Sequence, residues 1–199
     1  MIALVDYGAG NLTSVRKAFA AIGATLFVPS QPLDIRTADR IVVPGVGHFG
    51  ATAALAGAWT DEIRAAVARG VPLLGICLGM QWLYEGSDEA PAVPGLGVLL
   101  GRCSRLPPAS DIKIPHVGWN CADVTRASAI VARLPPHPQM YFTHSYVAPV
   151  TSSTVATTEH GARFASIVQQ GAVAGVQFHP EKSSDAGLQV LRNFLELAA

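Results

Sequence analysis

The stretch VPLLGICLGMQ, residues 71–81, contains the pattern that decides the fold. Its first six residues are a short apolar run, typical of a fully buried strand, and the residues after it favour a helix. Gly75 and Gly79 flank Cys77 in a G-x-C-x-G arrangement, which removes the Cβ clashes of a sharp strand-to-helix turn. A lone cysteine in an apolar run is more often a packing residue. Here the two glycines and the turn favour a nucleophile, with a helix dipole that stabilises the thiolate.

Short apolar runs alternate with helical patterns throughout the first half of the chain. Strands are predicted at 2–5, 25–28, 40–43 and 71–76, and helices at about 12–22 and 61–69. This alternation is typical of βαβ units in a doubly wound parallel sheet.

The second half contains strand-like runs separated by Gly, Pro, Ser and Thr turns. The runs cover residues 97–103, 115–124, 140–149, 153–160, 166–170 and 172–178, and a last helix is predicted at about 185–197, capped by Ser184. We therefore predict one α/β domain spanning 1–199, with a mostly parallel central sheet, flanking helices and additional antiparallel strands in its second half.

Composition limits the classes of partner. The 199 residues include 14 Lys plus Arg and 14 Asp plus Glu, so no broad field favours nucleic acid or an anionic membrane. No apolar run approaches the roughly 20 residues of a membrane span, and the N-terminal MIALVDYG is typical of a first strand rather than a signal peptide. Three cysteines cannot all pair, so free thiols and a cytoplasmic location are expected.

The segment PGVGHFG, residues 44–50, follows the predicted strand at 40–43 and contains G-x-G-x-x-G. A dinucleotide site would need an acidic residue about 20 positions further on, and none lies there. Two alternatives remain: a plain tight turn, or a loop whose glycines Gly45 and Gly47 let peptide N–H groups approach a ligand closely.

The segment QFHPE, residues 177–181, separates an imidazole from a carboxylate by one proline. Pro180 predicts an extended backbone, which would direct His179 and Glu181 to one side and Lys182 to the other. Glu181 would then accept the Nδ1 proton and leave Nε2 free to act as a base. If the strands before Cys77 and His179 are neighbours, both residues emerge at one sheet edge as a Cys-His-Glu triad, and the 45–47 loop supplies an oxyanion hole.

Together, GICLGMQ and QFHPEKS resemble the class I, triad-type glutamine amidotransferases. The segments VDYGAGNL, VPGVGHFG, KIPHVGWN, YFTHSY and GVQFHPEKS extend the resemblance over nearly the whole chain, to the glutaminase subunits of histidine biosynthesis. Pro44-Gly45-Val46-Gly47 stands where other glutaminases of the class usually carry a Gly-Gly pair. The resemblance implies a class I glutamine amidotransferase fold and hydrolysis of glutamine through a γ-glutamyl thioester.

The resemblance also assigns roles residue by residue. The catalytic residues are Cys77, His179 and Glu181; the oxyanion hole is formed at Val46, Gly47 and Leu78; the substrate contacts are Gly45, Gln81, Ser145 and Tyr146. No cofactor and no metal ion are implied. The Val46 peptide is a candidate regulatory element, misoriented until a partner has bound its nucleotide.

The implied partner is a separate cyclase subunit with a (β/α)8-barrel fold, which receives the ammonia in a heterodimer. The residues expected to face or border it are Asn11, Lys113, His116, Trp119, Asn120 and Lys182. An exposed aromatic is a plausible anchor of such a face, although Trp119 could instead belong to the core.

Three other functions remain open from the sequence. They are a glutaminase for another synthase, such as pyridoxal phosphate synthase, a stand-alone γ-glutamyl peptidase on the same scaffold, and a binding module with a vestigial triad. KIPHVGWN argues against the first, and the complete set Cys77, His179 and Glu181 argues against the last.

Overall fold

An eight-stranded sheet forms the centre of the protein in the computed structural model, which describes residues 1–108 and 112–198. The strands are β1 Ile2–Leu4, β2 Leu26–Phe27, β3 Arg40–Gly45, β4 Leu73–Cys77, β5 Gly86–Ser87, β6 Arg102–Arg105, β7 His116–Cys121, β8 Asp123–Val124, β9 Gln139–His144, β10 Tyr146–Val147, β11 Thr154–Glu159, β12 Arg163–Gln170 and β13 Val173–Val176. The α-helices are α1 Leu12–Ala21, α2 Ala58–Ala68, α3 Leu78–Trp82 and α4 Ser184–Leu195. Short 3-10 helices cover Pro32–Thr37, Phe49–Leu55, Ala129–Val131 and Pro180–Lys182. Within the described ranges, every helix is too short or too polar to cross a bilayer.

The strand order of the central sheet is β2-β1-β3-β4-β13-β12-β11-β8. The first five strands are parallel, and the last three add on as antiparallel neighbours. This confirms the predicted mostly parallel sheet with antiparallel strands from the second half. Two smaller sheets, β10-β6-β5 and the antiparallel pair β7-β9, lie outside it.

The sheet buries apolar side chains on both faces. In β3, Val42 belongs to one apolar cluster while its neighbours Ile41 and Val43 belong to the other, as the two-residue period of a strand requires. Phe19 of α1 and Phe194 of α4 pack on the first face. A continuous apolar strand in sequence is therefore a strand covered on both sides, which is why the run at 71–76 is hydrophobic throughout.

Three neighbouring parallel strands end at the same edge of the sheet. Gly45 of β3 pairs with Cys77 of β4, and Val176 of β13 pairs with Ile76. Because β13 ends just before residues 177–179, this register brings the cysteine and histidine segments together. The edge formed by β3, β4 and β13 is the place to look for a site.

Two local predictions are wrong. A strand is predicted at 97–103, but the observed strand begins only at Arg102 and ends at Arg105. Gly97 and Gly101, with φ values of 69° and 99°, break the extended chain before it. Helix α4 begins at Ser184, with Ser183 rather than Ser184 in the N-cap position. The Ser183 hydroxyl caps no helix N–H and instead donates to His179 O at 2.7 Å.

Candidate active site

Cys77 lies on a strained turn between β4 and α3. Its φ of 53° and ψ of −107° are rare for a residue with a Cβ, as expected for a nucleophile at a strand-to-helix elbow. A Cβ at Gly79 would overlap the carbonyl oxygen of Val43, and a Cβ at Gly75 would lie 2.6 Å from Gly79 O. Both glycines are thus required for helix α3 to approach the sheet, and the elbow predicted from the sequence is present.

The thiol is buried, with two polar contacts. The Sγ of Cys77 donates to Thr143 O over 3.9 Å and accepts from Gln177 Nε2 at 3.6 Å. Sequence reasoning missed Gln177 as a contact of the nucleophile. The signal that could have identified it is its position two residues before His179 at the end of β13, on the same side of an extended chain.

His179 and Glu181 form a buried acid–base pair. Glu181 Oε1 accepts from His179 Nδ1 at 2.8 Å, and both side chains are only 2% exposed. Burial by itself would lower the pKa of His179, but the side chains of Cys77 and Glu181 nearby raise this pKa to about 10. His179 Nε2 is buried and has no hydrogen-bond partner within the described residues. Nε2 is therefore the ring nitrogen left free for proton transfer.

The extended backbone predicted for residues 179–182 is wrong. Pro180–Lys182 is a 3-10 helix, in which Lys182 N donates to His179 O and Ser183 N donates to Pro180 O. Proline fixes its own φ near the helical value and lacks only an N–H that a first helical position does not use, so Pro180 begins this helix. The tight turn brings His179 and Glu181 together, whereas the prediction relied on alternation along a strand.

Residues 45–47, the loop predicted to supply the oxyanion hole and called the oxyanion loop below, lie at the end of β3 at the same sheet edge. Gly47 has a φ of 94°, a conformation that favours glycine, and Leu78 is the first residue of α3, where backbone N–H groups lack an intrahelical acceptor. Val46 differs, because its N–H donates to Ala9 O at 2.7 Å. Gly47 and Leu78 can therefore offer donors, while the Val46 N–H is already occupied.

A pocket of about 300 Å³ opens over the nucleophile. Of the residues expected around the substrate or the oxyanion, those lining it are Gly47, Leu78, Gln81, Ser145 and Tyr146, together with Cys77. Gln81 Nε2 donates to Tyr146 O at 2.9 Å, which links helix α3 to the loop on the far wall. Gly45 supports the wall, because a Cβ there would overlap Tyr7 Oη.

Glu89 also lines this pocket, and the sequence did not point to it. Its Oε2 accepts from the backbone N–H of Phe49 at 2.6 Å, which anchors the 85–94 loop beside the oxyanion loop. The carboxylate is suited to an ammonium group, such as that of a free amino acid. No local pattern distinguishes Glu89 from other loop acids in the sequence, since only the folded loop brings it to the pocket.

The residues expected to face a partner do not all reach the surface. Trp119 is 53% exposed, Asn11, Lys113 and Lys182 are exposed, and Asn120 is half-buried. His116 is the exception: its side chain is 3% exposed and contacts other residues of the chain, so it is not available to a partner. Tyr141 lies between two of the exposed groups, with its ring 6.0 Å from that of Trp119 and 5.7 Å from Lys182 Nζ.

One group of metal-ligand side chains occurs within residues 1–108 and 112–198, away from the pocket. The donor atoms of Cys121, Asp123 and His137 lie within 4.8 Å of one another. Asp123 Oδ1 accepts from Cys121 Sγ at 3.1 Å and contacts His137 Nδ1 at 2.7 Å, and His137 is 75% exposed. These hydrogen bonds account for the cluster.

A strained cysteine, a buried His–Glu pair and an α/β sheet edge define an amidotransferase-type glutaminase. The chain matches the model of the family "Glutamine amidotransferase class-I" over residues 3–198 and belongs to this family. It is 45% identical to the imidazole glycerol phosphate synthase subunit HisH of Xylella fastidiosa over 100% of this chain and 98% of the relative, and 46% identical to that of Moorella thermoacetica over 98% and 94%. A solved glutamine amidotransferase superposes with a TM-score of 0.77 at 22% identity, covering 99% and 98% of the two chains, which shows the fold.

Proposed function

We propose that this chain is the glutaminase subunit of an imidazole glycerol phosphate synthase. It hydrolyses glutamine to glutamate and ammonia and supplies the ammonia to a separate cyclase subunit in histidine biosynthesis. The observation that carries the proposal is the strained Cys77 beside the buried His179–Glu181 pair, in a chain about 45% identical over its whole length to subunits of that name. Residues 1–199 act as one glutaminase domain.

The mechanism follows from the three side chains. The Cys77 thiolate attacks the side-chain amide carbon of glutamine, and the carbonyl oxygen takes up the negative charge. His179 donates its proton to the amide nitrogen, and the C–N bond breaks. Ammonia departs, and a γ-glutamyl thioester remains on Cys77. His179 then removes a proton from water, which attacks the thioester, releases glutamate and restores the thiolate. Glu181 keeps the Nδ1 proton on the imidazole throughout and stabilises its positive form.

Substrate binding is proposed for the residues on the pocket walls. Backbone groups of Gly45, Ser145 and Tyr146 and the side chain of Gln81 surround the amino-acid head group, and Glu89 pairs with its ammonium. The support is that Gln81, Glu89, Ser145 and Tyr146 line one pocket with Cys77, and that Gln81 bonds to Tyr146. Gly45 does not line the pocket but pairs with Cys77 across β3 and β4. Backbone N–H donors suit a substrate carboxylate, because they are already held in place, whereas a donor on a flexible side chain is not.

The oxyanion loop supports a regulated form of this activity. With the Val46 N–H donating to Ala9 O, the donors near the nucleophile are those of Gly47 and Leu78. We propose that the Val46 peptide turns toward the pocket when the cyclase subunit has bound its nucleotide. Removing one oxyanion donor costs roughly 10²–10³ in turnover in other hydrolases, so a single peptide is enough for strong control.

The partner is proposed to be a (β/α)8-barrel cyclase that joins the ammonia to a phosphorylated ribulosyl nucleotide, giving imidazole glycerol phosphate and an aminoimidazole carboxamide nucleotide. The proposed contact face carries Asn11, Lys113, Trp119, Asn120 and Lys182. Its support is the exposed Trp119 of β7, whose ring lies 6.0 Å from that of Tyr141 of β9, while Tyr141 also contacts Lys182 of the 3-10 helix that follows His179. Cytoplasmic location is proposed with it, and three free thiols fit a reducing compartment.

The proposal is tested by glutamate and ammonia release from glutamine. We expect Cys77→Ala to abolish turnover, because the nucleophile is removed. Cys121→Ser is the matched control, since Cys121 is a partly exposed thiol outside the pocket, and it should retain turnover within about twofold. A wild-type chain, assayed with its cyclase subunit, that releases no ammonia would contradict the proposed function.

A further inference from the structure

Two buried histidines connect strand β7 to the wall of the pocket. His116 begins β7 and His144 ends β9, opposite it in the antiparallel pair, and they are 3% and 7% exposed. His116 Nδ1 lies 3.1 Å from His144 Nε2, and His144 Nδ1 lies 3.1 Å from Tyr146 O. At the other end, Asn120 Nδ2 lies 3.2 Å from His116 Nε2. These contacts form one continuous series of hydrogen bonds, and the proposed triad mechanism uses none of them.

The position of every proton in this series is determined from its two ends. At one end, Tyr146 O can only accept, so His144 carries its proton on Nδ1, and its Nε2 accepts from His116 Nδ1. At the other end, Asn120 Oδ1 accepts from Cys121 N at 2.8 Å and its Nδ2 donates to Glu159 O at 3.0 Å. The Asn120 amide therefore also donates to His116 Nε2. Both ends require the same tautomer of each ring.

Both rings are neutral, as this proton order requires. Burial first, and then the neighbouring His116, lowers the pKa of His144 to about 3. Burial and the positive form of His160 lower the pKa of His116 to about 4. His160 stacks on His116 with 3.9 Å between ring centroids, and Phe142 stacks on it at 4.8 Å. The series therefore keeps one proton order throughout the neutral pH range.

The series ends on the loop that lines the pocket. Tyr146 O accepts two hydrogen bonds, from His144 Nδ1 and from Gln81 Nε2. Ser145 O is fixed as well, because it accepts from Leu106 N at 2.9 Å. Ser145 O belongs to the Ser145–Tyr146 peptide and Tyr146 O to the Tyr146–Val147 peptide, so these bonds hold the backbone on both sides of Tyr146, which lines the pocket.

We propose that His144 and His116 are positioning residues for the glutamine pocket, and that they transmit the position of strand β7 to the backbone of Tyr146 through its carbonyl group. This rests on the proposed function, because glutamine is the ligand of that pocket. His144 lines the pocket and His116 does not, and the role proposed for both rings is to hold the Tyr146 backbone rather than to take part in the chemistry. Asn120 lies next to the exposed Trp119 on β7, so a displacement of β7 by a partner would reach the substrate-binding peptide through two rigid rings.

The first test compares two variants of the same histidine. In His144→Asn the side-chain amide can reach the Nδ1 position and donate to Tyr146 O, whereas in His144→Gln it reaches the Nε2 position and bonds only to His116. We expect His144→Gln to raise the KM for glutamine about tenfold, the effect of one lost hydrogen bond, and clearly more than His144→Asn, with kcat changed less than KM. The control is His137→Asn, at an exposed histidine two residues before β9, which should match the wild type.

Equal KM values for the two His144 variants, in a chain whose glutaminase activity depends on Cys77, would overturn the inference and leave the proposed function intact. If the wild type, assayed with its cyclase subunit, hydrolyses no glutamine, the proposed function fails instead.

The second test needs no assay and no stable histidine variant. Long-range proton–nitrogen NMR spectra of the wild type should show both His116 and His144 protonated on Nδ1. Asn120→Asp replaces a donor by an acceptor of the same shape, so His116 should move its proton to Nε2 and lose its bond to His144. A wild-type His144 protonated on Nε2, or an unchanged His116 tautomer in Asn120→Asp, would contradict the proposed series.

Discussion

At the scale of single residues, the site concentrates features that cost stability. Cys77 has a positive φ, the Nε2 of His179 is buried without a hydrogen bond, and Glu181 Oε2 is likewise unpaired among the described residues. Strained backbone and unpaired buried polar atoms cluster at functional sites, where the rest of the fold compensates for them. These three residues are those proposed for the triad, so the structural cost and the chemistry coincide.

Tyr7 permits a test of the stability cost of an unpaired buried polar atom near the site. Its hydroxyl is buried against Gly45 without a hydrogen-bond partner in the described structure, and burial, followed by the Cys77 charge, raises the pKa of Tyr7. Tyr7→Phe removes the unpaired hydroxyl and keeps the ring, so we expect the free energy of unfolding to rise by about 1 kcal/mol. Urea unfolding of the isolated chain measures it. A loss of 1 kcal/mol or more would show that the hydroxyl has a partner in solution.

The raised pKa of His179 predicts a pH dependence of stability. An unfolded histidine titrates near 6.5, and in the folded protein the pKa of His179 is about 10. The folded state therefore binds the extra proton, and this contribution is complete below about pH 6.5 and is lost as the pH rises through about 10. Glu181→Gln removes a negative partner, so NMR titration should find the His179 pKa lower than in the wild type. As the pH rises, the variant should therefore lose this contribution to stability at a lower pH than the wild type does. Glu196→Gln, at an exposed acid, should leave both unchanged. An unchanged His179 pKa in Glu181→Gln would contradict the pair.

At the scale of elements, the site depends on the close approach of α3 to β3. Gly79, in the first turn of α3, has no room for a Cβ because Val43 O of β3 occupies that space. The same approach directs the N-terminal end of α3, with Leu78, toward the pocket. Packing of α3 on β3 thus brings Leu78 and Gly47 to the same pocket.

Gly79→Ala is expected to be severely destabilising. The added methyl group would force α3 away from β3, so the free energy of unfolding should fall by about 3 kcal/mol or more. Gly10→Ala is the matched control, because a Cβ there would make an ordinary contact of 3.4 Å with Pro44, and it should change stability by less than about 1 kcal/mol. Urea denaturation of both variants measures the difference. Equal stabilities would show that α3 can shift without cost.

Elements differed in how well their sequences predicted them. The buried strands β3 and β4 are unbroken apolar runs, and a run covered on both faces has a clear signature. The segment at 97–103 is also largely apolar, yet positive φ values at its glycines interrupt the predicted strand. These φ values depend on packing against residues distant in the sequence. Pro180 was misinterpreted for a related reason: a proline permits both an extended chain and the start of a helix, and the hydrogen bond from Ser183 to His179 O decides between them.

At the scale of the whole molecule, the pocket and the surface proposed to contact the partner lie on different parts of the fold. Cys77, Gly47 and the pocket lie at the carboxyl edge of the parallel strands, while β7 and β9 form a separate antiparallel pair beside that edge, with Trp119 on its outer face. Strand β9 ends at His144, immediately before Ser145 and Tyr146, which line the pocket. A partner seated on this pair would therefore act on the pocket from its side.

Binding of the cyclase subunit is expected to raise glutaminase turnover. With the nucleotide bound to the partner, we expect turnover to rise roughly 10²–10³-fold, the effect of one oxyanion donor, because the Val46 N–H is released from Ala9 O. Trp119→Ala should weaken partner binding about 30-fold or more, as loss of an aromatic anchor does. Leu100→Ala, at a residue 74% exposed elsewhere, should not. Turnover of the isolated chain equal to that of the liganded complex would overturn the regulatory proposal.

The sequence by itself determined the fold class, the strained turn at Cys77 and the closeness of His179 to Glu181. Each of these depends on residues within about ten positions, where apolar period, glycine and proline act directly on the backbone. Only the tertiary structure decided that Val46 donates to Ala9, that Glu89 lines the pocket, that His116 is buried and that two imidazoles bond in series. These facts depend on contacts between segments far apart in the chain, and a local pattern of residues carries no information about which distant carbonyl or ring will satisfy a given donor.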